Sequence, residues 1–287
     1  MRLSILDNGH RRRARMFMST TALMSRVDSA DIVKMLLYRP DFLTRPLLEL
    51  TAGAMRGPSY WTAAEREYLA MSTAQLHQCP FCIDTHAELI RIAGHGEIDA
   101  DDPGSARPEL RRVRAFLDAV NRDPGHVDFG EVDGLPEQAI VDALNVQLVW
   151  NVINRLANAF GFELREGQLH SGTRALHRFG YRFPGFLLAG GDHGDHGDVV
   201  ANIRYAVLSA PAVTDPVLRQ AVATGDAVPE PWRAYTETVR DASYRVTEAD
   251  IAGLRAAGHS EDEIFEVTVA AAVGAALRGY DAGRRQN

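Results

Sequence analysis

Residues 62–94 read TAAEREYLAMSTAQLHQCPFCIDTHAELIRIAG. Thr62, followed three places later by Glu65, has the pattern of a capping box, in which a hydroxyl and a carboxylate each satisfy a backbone N–H that the first helical turn leaves orphaned. It opens a helix predicted to run to about His77, with Glu67 early in it. Cys79 then caps a further helix, with Pro80 at its first position, where the missing N–H forfeits no hydrogen bond, and Gly94 ends it. Two consecutive helices follow, and a pair of cysteines, Cys79 and Cys82, stands at the start of the second.

Outward from this stretch the pattern stays helical. Between Ala30 and Ala54, Ile32, Val33, Leu36 and Leu37, then Phe42, Leu43, Leu47, Leu48 and Leu50 recur at helical spacing, and Arg39-Pro40 breaks the run into two packed helices. Residues 99–108 are acidic, contain proline and lack periodicity, so they read as an exposed loop. Beyond them come a helix, a short polar break and a long helix from about Pro136, whose stripe is Ile140, Ala143, Leu144, Gln147, Leu148, Asn151 and Leu156. Val246 to Leu254 answers Val127 to Leu135, and Glu261 to Tyr280 answers Glu137 to Leu156, which points to a degenerate internal duplication. Alternating strand patterns are scarce, so the expected fold class is all-α. The expected organisation is a flexible segment 1–29, a helical unit 30–165 carrying the cysteines, a connecting segment 166–228, and a second, cysteine-free helical unit 229–287.

A chain of 287 residues with 46% hydrophobic content has enough apolar material for a substantial core. The net charge of −7 comes from 38 acidic and 31 basic residues dispersed along the chain, without the basic footprint that nucleic-acid binding needs. No run of about 18 apolar residues predicts a membrane span. Arg11-Arg12-Arg13-Ala14-Arg15 leads into Met16-Phe17-Met18-Ser19 and mixed polar sequence, unlike a secretion signal, so a cytoplasmic protein with neither membrane nor nucleic-acid partner is expected.

The two cysteines are the only ones in the chain. A disulfide across so short a loop would restrain the unfolded chain little, so its value would be chemical. A helix N-terminus favours thiolate over thiol. His86 lies four residues after Cys82 on the same helical face, placing a base beside a nucleophile, and Glu67 on the preceding helix is positioned to orient His86. The competing readings are a metal site, although structural zinc ordinarily takes four Cys or His ligands, and an unreactive buried pair. No metal and no bound cofactor are expected. His193 and His196, flanked by Asp192, Asp195 and Asp198, read as a glycine-rich solvated loop, and Trp150, Asn151, Asn154 and Arg155 are candidates to line a pocket near the dithiol.

The order Glu67, eleven residues, Cys79, two residues, Cys82, three residues, His86 resembles the signature of the alkylhydroperoxidase AhpD-like proteins of the carboxymuconolactone decarboxylase superfamily. Arg39-Pro40 before a helix, the Thr62–Glu67 helix opening and Asn154-Arg155-Leu156-Ala157 agree with it, and the resemblance spans roughly residues 30–165. It implies an AhpD-like helical fold and a thiol-dependent peroxidase. In it Cys82 would become a sulfenic acid, and Cys79 would supply a proton and then close the disulfide. Glu67 and His86 would relay the proton away. The implied partners are a small-molecule substrate (a peroxide or an organic metabolite), an external thiol reductant, either a protein or a small thiol, and further copies of the chain in a homo-oligomer. Some relatives carry a histidine directly before the second cysteine; Phe81 stands there in this chain and favours an organic substrate. The alternatives are a dithiol oxidoreductase of another substrate, a decarboxylase-like lyase or isomerase in which a histidine moves protons without cysteine redox, and a non-catalytic assembly protein.

Overall fold

A helix that is apolar on every face has to lie inside the molecule, whereas one with a single apolar stripe packs on the outside. Three helices of this protein are buried on nearly every side along most of their length, polar residues included: α5 (Ala63–Leu76), α8 (Glu137–Phe160) and α14 (Glu261–Arg284), which in chain order are the fifth, eighth and fourteenth. In the computed structural model, which describes residues 1–189 and 196–284, these three form the centre. Alpha-helix α14 lies along α8, and α8 lies along α5. Around them are α1 (Ile5–Asn8), α2 (Arg12–Ser25), α3 (Asp31–Tyr38), α4 (Arg45–Arg56), α6 (Pro80–Ala93), α7 (Pro108–Arg122), α9 (Gln168–Phe179), α10 (Val199–Arg204), α11 (Pro216–Thr224), α12 (Trp232–Ala242) and α13 (Glu248–Ala256). No strand occurs among the described residues, and the fold is all-α. None of the described helices is long and apolar enough to cross a membrane.

Local signals account for most boundaries. The Thr62–Glu65 capping box is formed in both directions, and such a cap contributes about 1 kcal/mol. Its neighbours fix where α5 sits: Trp61 Nε1 donates to the Ala139 carbonyl at 2.8 Å, and Asp142 of α8 accepts from the Ser59 hydroxyl and the Tyr60 N–H. Pro40 opens a π-helical turn, Pro40–Thr44, that separates α3 from α4 where Arg39-Pro40 predicted a break. Alpha-helix α5 ends in a Schellman motif: the Gln78 N–H bonds to Gln75 O and the Cys79 N–H to Ala74 O, with Gln78 in the left-handed region at φ 49°. This three-residue link, His77, Gln78 and Cys79, turns the chain directly from α5 into α6 and delivers Cys79 to the α6 N-cap.

Three expectations are corrected. Residues 1–29 carry two helices instead of a flexible segment: Leu3 and Leu6 are fully buried, and Glu261 at the start of α14 accepts from the Ile5 N–H and the Ser4 hydroxyl. The partner that buries this segment comes from the other end of the chain, where no local periodicity announces it. The described residues of 166–228 include α9, α10 and α11, and α11 packs on α14 as α5 packs on α8. The α8 stripe is in fact near-complete burial from Asp142 to Phe160, because α14 covers the side that a single stripe would leave to water. Phe265 of α14 illustrates the packing, with ring centroids 5.1 Å from Tyr38 and 5.7 Å from Phe160; burying such a side chain contributes roughly 1.5–3 kcal/mol.

Close approach of α11 to α14 depends on Gly274, where an added Cβ would lie 2.3 Å from both Cα and O of Ala223. Gly53, exposed within α4, has nothing within 4 Å of the same position. Gly274→Ala is therefore expected to cost about 3 kcal/mol of stability through overpacking against backbone, while Gly53→Ala should add up to about 1 kcal/mol through helix propensity. Urea unfolding of both variants checks this, and a Gly274→Ala midpoint at or above the wild-type value would contradict the packing.

Candidate active site

Helix α6 begins at the dithiol. Cys79 is its N-cap residue and Cys82 lies in its first turn; both side chains are 1% exposed, the sulfurs are 2.8 Å apart and they are not bonded as a disulfide. One turn on, His86 is wholly buried. Its Nδ1 lies 2.7 Å from Oε2 of Glu67, which is also wholly buried, so α5 and α6 bring the predicted base and its orienter together. His86 Nε2 is buried and has no hydrogen-bond partner. Because the ionised Glu67 only accepts, Nδ1 carries the hydrogen, and in the neutral ring Nε2 keeps its lone pair.

Two further residues complete the site, and sequence reasoning missed both. Arg56, at the end of α4, donates through Nη2 to Glu67 Oε1 at 2.6 Å. Tyr181, just past α9, donates its hydroxyl to the same carboxylate, 2.8 Å from Oε1 and 3.0 Å from Oε2. Neither has a local motif; the one available signal is Gly180-Tyr181, where two successive residues adopt left-handed backbone at φ 61° and 62°. For a bulky residue this costs about 1–3 kcal/mol and persists only where the surroundings over-determine it. Burial pushes the Glu67 carboxyl up, but the hydrogen bond from His86 and then the charge and hydrogen bond of Arg56 outweigh it, and the group is held below the ordinary carboxylate range.

Cys82 and His86 open on one cavity of about 60 Å³, walled among others by Leu36, Phe81, Trp150, Ile153 and Tyr181; by the same measure a water needs about 10–15 Å³. The Trp150 ring meets His86 edge-on at 4.0 Å between centroids. The other polar side chains on the wall are satisfied within the protein: Thr51, Thr85 and Thr173 donate to carbonyls of their own helices, Gln168 bonds to Arg165 N and Asp28 O, and Tyr181 to Glu67. Of the polar groups on the wall, the Cys82 thiol and the His86 ring, with its unpartnered Nε2, are thus the two left for a visitor. No hydrogen bond joins these two groups, so a proton passing between them needs a bridging molecule.

Helix position alone does not ionise Cys82. Burial pushes its thiol well above the ordinary range, and the contact with Cys79 adds to this. Of the other residues expected near the dithiol, Trp150 lines the cavity. Asn151 and Arg155 instead bond to His77, whose ring burial and the Arg155 charge hold neutral with a pKa down to about 3. Asn154 is fully buried with neither amide atom partnered. Asp192, His193 and Asp195 lie outside the described residues. Asp198 caps α10 by accepting from Ala201 N, and the His196 ring stacks on Tyr205 at 3.5 Å. Among the described residues no three His, Cys, Asp or Glu side chains are grouped to hold a metal ion.

Comparison of the chain with known protein families and with curated proteins finds no match.

Glu67→Gln removes a buried charge and leaves Arg56 without its counter-ion, for an expected loss of about 3 kcal/mol at pH 7. The folded-state pKa of Glu67 lies below its unfolded value of 4.5, so its contribution is complete above that value and is lost as pH falls through the folded one. Urea unfolding should show the widest gap between wild type and variant near pH 7 and a narrowing gap below about pH 4.5; a gap independent of pH would show that Glu67 is not ionised in the fold.

Proposed function

We propose that this protein is a thiol-dependent peroxidase of the AhpD-like kind, reducing a hydroperoxide through Cys82 and regenerated through a Cys79–Cys82 disulfide. The observation that carries the reading is His86, held by Glu67 through Nδ1, with Nε2 unpartnered, on the wall of the cavity that Cys82 also lines.

The chemistry follows from that placement. A buried thiol with a raised pKa is a poor nucleophile until a base takes its proton in the encounter. His86 Nε2 accepts that proton through a bridging water or the substrate's own O–H, for which the cavity has room. The thiolate attacks the terminal oxygen of ROOH, forming the S–O bond of a sulfenic acid as the O–O bond breaks, and the departing alkoxide takes the proton from His86 to leave as ROH. Cys79, already beside Cys82, displaces hydroxide from the sulfenic sulfur; with the Cys79 proton this leaves as water, and a disulfide remains. Two equivalents of an external thiol then return both cysteines to the reduced state by exchange.

Phe81, 8% exposed, lies on the cavity wall where a further histidine stands in some AhpD-like proteins, which supports an apolar R group. A decarboxylase-like reaction on a carboxylate-bearing metabolite has less support, since no lysine or arginine is among the residues lining the cavity.

Stopped-flow mixing of the reduced protein with hydrogen peroxide or an organic hydroperoxide, with thiol counting and intact mass, tests the reading. Wild type should lose two thiols per chain, Cys82→Ser should not react on that timescale, and His86→Gln should be slower by about 10²–10⁴-fold. Survival of both thiols in excess peroxide would sink the proposal.

A further inference from the structure

Glu67 has more partners than an orienting carboxylate needs. Besides His86 it holds the Arg56 guanidinium, whose side chain is 15% exposed, and the Tyr181 hydroxyl on both its oxygens. These two partners are tied to each other, with the Arg56 guanidinium carbon 5.1 Å above the Tyr181 ring. Burial, and after it the Glu67 charge, raise the Tyr181 hydroxyl far above its ordinary range, so it stays a neutral donor. The left-handed backbone at Tyr181 is what delivers that hydroxyl to the carboxylate, and such strain persists where surrounding contacts maintain it.

We propose that Arg56 and Tyr181 are positioning residues that keep Glu67 an anion throughout the reaction, so that the proton leaving Cys82 stops at His86 and never passes to Glu67. This rests on the peroxidase reading only in taking Cys82 as the proton source. It departs from the relay implied by the family resemblance, in which Glu67 and His86 carry the proton away together.

The proton balance is simple. The Cys82 proton arrives at Nε2, Nδ1 keeps its own hydrogen and its bond to Glu67, and the resulting imidazolium is stabilised by the carboxylate until it returns the proton on the cavity side. Transfer of the Nδ1 hydrogen to Glu67 would neutralise the counter-ion of a mostly buried guanidinium, which is strongly unfavourable. The charged and titratable groups around the pair are Arg56 from α4, Glu67 and the neighbouring Arg66 from α5, Cys82 from α6 with Cys79 against it, and Tyr181 from the segment after α9; α8 contributes the uncharged edge of Trp150.

Infrared difference spectra of the full-length reduced protein read the ionisation of Glu67, with Glu67→Gln assigning its band, and ¹⁵N spectra of the imidazole read which His86 nitrogen carries hydrogen. Wild type should show an ionised Glu67 from pH 5 through the range in which Cys82 becomes alkylatable, with hydrogen on Nδ1. Tyr181→Phe, which removes a single oxygen, should raise the Glu67 midpoint by about one pH unit, Arg56→Met should raise it further, and Arg56→Lys should restore most of the difference. A protonated Glu67 band that grows as Cys82 ionises would overturn the proposal, and so would a Glu67 midpoint in folded Tyr181→Phe equal to that of wild type. Neither readout uses peroxide, so thiols inert to peroxide beside a locked Glu67 would refute the peroxidase reading alone.

Discussion

A carboxylate with no access to water has to be surrounded by donors, and Glu67 is the point at which this fold meets that requirement. Its donors come from three other parts of the chain: Arg56 from the end of α4, His86 from α6 and Tyr181 from the segment after α9. Removing Arg56 takes away the counter-ion of the carboxylate, and removing His86 or Tyr181 leaves it with fewer donors in the interior. The carboxylate therefore ties α4, α5, α6 and the post-α9 segment to one geometry, and the orientation of His86 is a consequence of that geometry.

Reactivity at Cys82 is decided by a contest between two effects. The start of a helix stabilises a nearby anion by roughly 0.3–1 kcal/mol at an exposed site and about 2 kcal/mol in favourable buried ones. Enclosure works against the anion, and at Cys82 enclosure wins. The dithiol is thus a protected thiol pair with a base one helical turn away on the wall of the same small cavity and no hydrogen bond between them, an arrangement in which a molecule entering the cavity can serve as the proton bridge. This suits a site that must react with one class of molecule and otherwise remain reduced.

The other half of the molecule has its own buried carboxylate without any cysteine beside it. Glu266 of α14 is fully buried, pairs with Arg39, and accepts from the Val213 and Thr214 N–H groups just ahead of α11. Burial raises its pKa, but the Thr214 hydrogen bonds and Arg39 bring it below the ordinary value. There the charge joins the α3–α4 corner to the C-terminal helices, and its partners are all structural. Similar electrostatics therefore hold both halves together, while only one half places a nucleophile and a free imidazole nitrogen beside the carboxylate.

What could be read from the sequence was whatever local chemistry dictates. The Thr62–Glu65 box, Pro80 after Cys79, Gly94, and the break at Arg39-Pro40 act within a few residues of themselves, and the helices begin and end where they indicate. The spacing of Cys82 and His86 needs only one helical turn, and Glu67 lies on the adjoining helix of the same hairpin. Arg56 and Tyr181 follow no such rule: their roles exist only once α4 and the post-α9 segment close over the hairpin, 11 and 114 residues from Glu67 in sequence. The N-terminal residues were unreadable for the same reason, since Leu3 and Leu6 are too few to make a period and their cover is supplied by the C-terminal half. The sequence by itself determined an all-α chain with a dithiol at a helix start and a histidine one turn on. The tertiary structure alone decided that the dithiol is enclosed, that Glu67 is ionised and that Nε2 of His86 is free, because burial and charge pairing are properties of side chains that meet only after the chain has folded.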